Sequence, residues 1–123
     1  MVNKKRIFIA FTVGDEQRRD SLKGQTLPTK SPFDFIDIST NEVYEIDWKE
    51  RVRTSIRGSA GVIALISKRS RNSTGLQWEL SCAREEGKRI LVIWAYDDDL
   101  SCLGSVNTMA WTGDTIRNFI DSV

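Results

Sequence analysis

The chain has 123 residues, enough for one domain with a single core and not for two. Its 18 basic and 17 acidic side chains leave a net charge of +1, which gives no push towards nucleic acid or an anionic membrane. It has no histidine, which removes Ser-His-Asp and Cys-His nucleophile systems, imidazole acid–base shuttles and ordinary His-ligated metal sites. Any catalysis must therefore rest on a carboxylate, Lys, Tyr, Cys or backbone dipoles.

No apolar run approaches ~20 residues and the N-terminus lacks a secretory apolar segment, so a soluble, cytoplasmic protein is expected. Cys82 and Cys102 have no metal-ligand spacing and read as two reduced, buried thiols. After Lys4-Lys5-Arg6, the run Ile7 to Phe11 reads as a buried first strand. Thr12-Val13-Gly14-Asp15 turns into a polar segment ending near Gly24, a weak helix whose one apolar anchor is Leu22. A loop from strand to helix can offer backbone N–H groups to a phosphate, although no GxGxxG or GxxxxGK[ST] pattern is present. Phe33 to Ile38 suits a second strand, and Ser39 to Ile46 reads as a loop. Asp47 and Glu50 have the spacing of a capping box opening a helix, with Trp48, Val52, Ser55 and Ile56 on one face and Gly58 at its end.

Gly61 to Ser67, apolar on both faces, is the third strand, and the loop after it carries Lys68, Arg69 and Arg71. From Ser73 to Lys88 a helix is expected, with Leu76, Leu80, Ala83 and Gly87 on one stripe and Glu79 at the edge of that stripe. The commoner meaning of such a residue is a surface glutamate; the other is a partly desolvated carboxylate facing a cleft. Trp78 and Cys82 fall on the side away from Leu76, either covered by a neighbour or marking a partner surface. Arg89 to Trp94 is the fourth strand. Asp97 to Asp99 lack a calcium-loop pattern and read as a solvated helix start. A fifth short strand, Thr108 to Trp111, precedes a helix with Ile116, Phe119, Ile120 and Val123 at strict helical spacing. Apolar strands alternating with helices imply an α/β, flavodoxin-like three-layer sandwich, its five-stranded parallel sheet in the order 2-1-3-4-5. Its ligand site lies beyond the carboxyl ends of the strands.

RIFIAF, FIDIS, the Trp48 to Ser67 spacing and QWELSCAREEGKRILVI together resemble the TIR-domain family, and within it the compact bacterial Thoeris TIR proteins of antiphage defence. The resemblance covers essentially the whole chain as one domain, 1–123. Two departures are Ala10, where the first-strand motif usually has Ser, and Gly75, where many members have Trp. The resemblance implies cleavage of the nicotinamide–ribose bond of NAD, by hydrolysis or cyclisation, with NAD as substrate and no metal or further cofactor. It places the catalytic glutamate on Glu79. Trp48 would stack on a base, or serve as a core residue of its helix. Phe11, Thr12, Val13, Asp15, Asp37, Ser67 and Arg71 would contact the remainder of the substrate, with a solvated loop charge as the other meaning of Arg71. Self-association and a downstream effector sensing the product are implied as partners, with no nucleic acid or membrane. Two alternatives stand beside this. Glu79, Ala83, Gly87 and Lys88 also fit a nucleoside deoxyribosyltransferase-like helix, though its Asp-x-Gly-Thr lead-in is missing. The third reading is a TIR-type module that signals by assembly without catalysis.

Overall fold

A computed structural model describes residues 4–38, 48–104 and 106–123. The sheet is parallel and four-stranded, in the order β2-β1-β3-β4: β1 Lys5–Ala10, β2 Phe33–Ile36, β3 Gly61–Ile66 and β4 Ile90–Trp94. β1 sets Lys5 beside Phe33 on one edge and Ile7 beside Gly61 on the other. β3 then pairs Val62 with Ile90 through to Ile66 with Trp94. The helices are α1 Glu16–Lys23, α2 Trp48–Arg57, α3 Thr74–Glu85 and α4 Gly113–Ser122.

Strand alternation builds two cores. Phe8, Ala10, Val62, Ala64, Ile66 and Val92 point to one face, where α2 and α3 cover them with Trp48, Val52, Ile56, Leu76, Leu80 and Ala83. Ile7, Ile9, Phe11, Ile63, Leu65 and Ile93 point to the other, under Leu22 of α1 and Ile116 and Ile120 of α4. All six residues of β3 are buried, which is why that strand carries no polar side chain. α1 is weakly amphipathic and Leu22 is its buried residue, as its composition predicts. Beyond that leucine it is tied down by Arg18, whose guanidinium lies 5.3 Å from the Tyr96 ring and 4.8 Å from the Trp111 ring.

The expected fifth strand is corrected to a single bridge. Met109 pairs with Ile93, its N–H donating to the Val92 carbonyl at 2.8 Å and its own carbonyl accepting from Trp94 N–H at 3.1 Å. The segment occupies the predicted position beside β4, but Met109 and Ala110 are exposed, so no burial extends the pairing. A second correction concerns α3, which ends at Glu85; Gly87 adopts φ +70° beyond it and is no part of the apolar stripe. Asp47 and the 39–46 loop lie outside the described residues.

Gly61 is required by close packing. A Cβ there would stand 3.0 Å from Phe119 Cζ and 3.2 Å from Val123 Cγ1, pressing the end of α4 off the sheet. Gly61→Ala is expected to cost about 1–2 kcal/mol, read from the midpoint of urea unfolding. An unchanged midpoint would show that α4 yields freely.

Candidate functional site

In a doubly wound sheet the ligand crevice opens where the loops after neighbouring strands diverge, here after β1 and β3. In this chain those two loops are fastened together. Asp15, fully buried, accepts from the Ser67 hydroxyl at 2.6 Å, from Tyr96 Oη at 3.0 Å and from Arg69 Nη1 at 3.1 Å. Thr12 Oγ1 and Ser70 Oγ are 3.0 Å apart, and Ser70 Oγ also accepts from the Ser67 N–H at 2.9 Å. Gly14, at φ +103°, gives the β1–α1 loop its turn, and the Arg69 side chain lies against it. Asp15, Thr12 and Ser67 thus spend their polar groups on one another's loops. Phe11 is also occupied: its ring is in the core of the α1 and α4 face, with Arg19 stacked 4.7 Å from its centroid. Val13 is the member of that loop left half-exposed.

Glu79 lies on the other face of the sheet. Ser73 caps α3, its hydroxyl accepting from Leu76 N–H at 3.2 Å, and this fixes the helix phase that turns Glu79 inwards. The residue is 2% exposed, and no described residue donates a hydrogen bond to it. Burial, and secondarily the negative charge of Asp37, push its carboxyl well above the usual carboxylate range. Asp37 follows β2 and is itself held by α1, at 3.2 Å from Arg19 Nη1 and 2.8 Å from Lys23 Nζ. A buried carboxyl to which no described residue donates a hydrogen bond is costly to ionise.

Glu79 shares its flank of α3 with Trp78 and Cys82, which turn towards α2, Trp78 remaining partly exposed. Cys82 is 1% exposed, and Trp78 packs on Trp48 with centroids 5.5 Å apart at 49°. Arg53 and Lys49 of α2 lie over the Trp78 ring at 5.6 and 5.7 Å. Further along, Arg53 and Arg57 bind Glu86 and hold its carboxyl at about 2, first through the hydrogen bonds from Arg57. Trp48, Lys49, Thr74, Gly75 and Trp78 line a small cleft of about 190 Å³. The buried Trp48 Nε1–H has no partner among the described residues. Arg71 does not join this cleft: it lies on the opposite flank of α3, towards Cys102.

The structure therefore brings Glu79 and Trp48 to the α2/α3 face, leaves Asp37 near enough to act on Glu79 by its charge while α1 holds it, and separates from them Phe11, Asp15 and Arg71. Sequence reasoning missed Arg69 and Tyr96 as partners of Asp15, and Ser70 as the partner of Thr12 in the same loop. Only their positions just past β3 and β4 hinted that they would meet it. The TIR-like domain of the Thoeris protein ThsB matches the chain over residues 8–99, from β1 to the loop after β4. No curated protein sequence matches it. That match spans the sheet except the first three residues of β1, together with α2 and the Glu79 helix, and the chain belongs to the Thoeris ThsB TIR-like domain family.

Proposed function

We propose that the protein cleaves the nicotinamide–ribose bond of NAD, by hydrolysis or cyclisation, and so makes a nucleotide signal for antiphage defence. The observation that carries this reading is the buried Glu79 carboxyl, to which no described residue donates a hydrogen bond, on the same sheet face as Trp48 in a chain without histidine. Nicotinamide departs neutral from a cationic ring, so no general acid is needed. What the step requires is a negative charge beside a ribose acquiring oxocarbenium character. A carboxylate in low dielectric supplies more stabilisation there than one in water. Trp48, buried at the edge of the cleft between α2 and α3, carries an N–H that no described residue accepts. NAD serves as substrate and no other cofactor takes part.

Self-association is part of the proposal. The cleft between the described residues holds about 190 Å³, less than the ~300 Å³ at which ligand pockets begin. A second copy of the chain would supply the missing wall, and a separate effector would read the product. Concentrated protein incubated with NAD is expected to release nicotinamide together with ADP-ribose or a cyclic isomer, identified by mass. Release per chain should rise with protein concentration. No nicotinamide at any concentration would overturn the reading in favour of a module that signals by assembly alone.

A further inference from the structure

On the flank of α3 away from Glu79, Gln77, Ser81 and Arg84 face Cys102, Leu103, Gly104 and Val106 across a groove of about 370 Å³. Its floor is apolar, built from Leu80, Leu103 and Val106. One end continues into a narrower recess of about 220 Å³, where Lys68, Arg71 and Asn72 meet. Arg71 and Cys102 line both, so the two spaces adjoin.

The charges here are not balanced. No acidic residue is among the described residues lining either space. The guanidinium groups of Arg71 and Arg84 make no hydrogen bond or ion pair with any described residue, whereas Arg19, Arg53, Arg57 and Arg69 all hold carboxylates. Asp99, in the adjoining loop, accepts from Lys68 N–H at 2.7 Å and from Ser101 Oγ at 2.6 Å. A polar cationic recess opening onto an apolar floor with a planar cation at its far end matches one ligand chemistry, a phosphorylated nucleoside. Lys68 and Arg71 would take the phosphates, while Leu80, Leu103 and Val106 would carry the base under the Arg84 guanidinium.

We infer that this groove is a second nucleotide-binding site, formed by the Lys68/Arg71 recess and the Leu80–Leu103–Val106 floor and distinct from the Trp48/Trp78 cleft and from Glu79. It does not depend on NAD cleavage, because α3 separates the two.

Cys102 makes the site readable. It is exposed in the groove while Cys82 is buried, so it is the thiol that alkylates in the folded protein. Its reaction with iodoacetamide is to be followed with ADP, pyrophosphate or adenosine present, each variant normalised to its own ligand-free rate. ADP and pyrophosphate are expected to slow wild-type alkylation several-fold, with ADP effective at lower concentration and adenosine without effect. Arg71→Ala should raise the concentration needed of both phosphates by about tenfold or more. Arg84→Ala should do so for ADP alone. Both arginines are exposed, so the variants keep the fold. Equal protection by pyrophosphate and ADP would assign the recess to the free anion and overturn the nucleotide. Protection by adenosine, protection of Arg71→Ala at wild-type concentrations, or none at millimolar ADP would overturn the site.

Discussion

Glu79→Gln is expected to lower kcat for nicotinamide release from NAD by about 10³-fold while the protein stays folded. The amide keeps the shape of the side chain and removes the charge, so the loss isolates electrostatic stabilisation of the sugar from positioning. Wild-type turnover by the variant would remove Glu79 from the mechanism. The pH profile gives a second reading. Because burial and Asp37 raise the carboxyl above its ordinary value, the acid limb of kcat/KM should lie above the usual carboxylate range. A cationic nicotinamide ring opposes that shift, so the limb of kcat should be displaced to lower pH than that of kcat/KM.

The same substitution should make the protein more stable, and the sign follows from linkage. The folded-state pKa of Glu79 is raised, so the unfolded chain ionises first as pH increases from about 4.5. Whatever stability the protonated form confers is full below that point and is lost as pH rises through the folded-state pKa. Each tenfold increase in proton affinity corresponds to about 1.4 kcal/mol at high pH. Glu79→Gln does not ionise and escapes the loss. It should therefore melt a few degrees above the wild type near pH 8, the gap closing towards pH 5. A surface glutamate would show no such gap, and equal melting curves at both pH values would mean that the carboxylate reaches water.

That Glu79 stands at the margin of the Leu76 stripe was legible from helical spacing, because burial follows phase once the helix is capped. So were the four strands and both helix-covered faces, since each apolar run is too short for a helix and is bounded by Gly, Pro or charge. What spacing does not encode is the direction of long-range polar contacts. Asp15 and Ser67 are 52 positions apart, and both read as residues at the strand tips available to a ligand. Only the parallel pairing of β1 with β3 brings them within 2.6 Å and consumes them. Trp78 and Cys82 looked outward for a related reason. The stripe identifies the side that meets the sheet, but a helix with a neighbour buries a second side, and α2 could not be aimed at α3 from the pattern. The fifth strand failed because a run of the right composition pairs fully only where something covers it.

Asp15→Ala should destabilise the fold by about 3 kcal/mol, the largest stability loss expected here from a residue outside the apolar cores. The magnitude comes from burial and not from the count of bonds. Arg69 is 48% exposed on its side chain, so its ion pair is screened and contributes about 1 kcal/mol or less. Ser67 is 1% exposed, and its hydroxyl would be left without its acceptor in a place water does not reach, at about 1–3 kcal/mol. The Tyr96 hydroxyl loses the same partner. This ordering separates the variants: Arg69→Ala should shift the urea midpoint little, Asp15→Asn by an intermediate amount because its carbonyl still accepts, and Asp15→Ala most. If Arg69→Ala proved as damaging as Asp15→Ala, the charge pair and not the buried hydroxyl would be the fastening. If neither moved the midpoint, the loops after β1 and β3 would be free to part, and the crevice between those strands would return as a place for substrate.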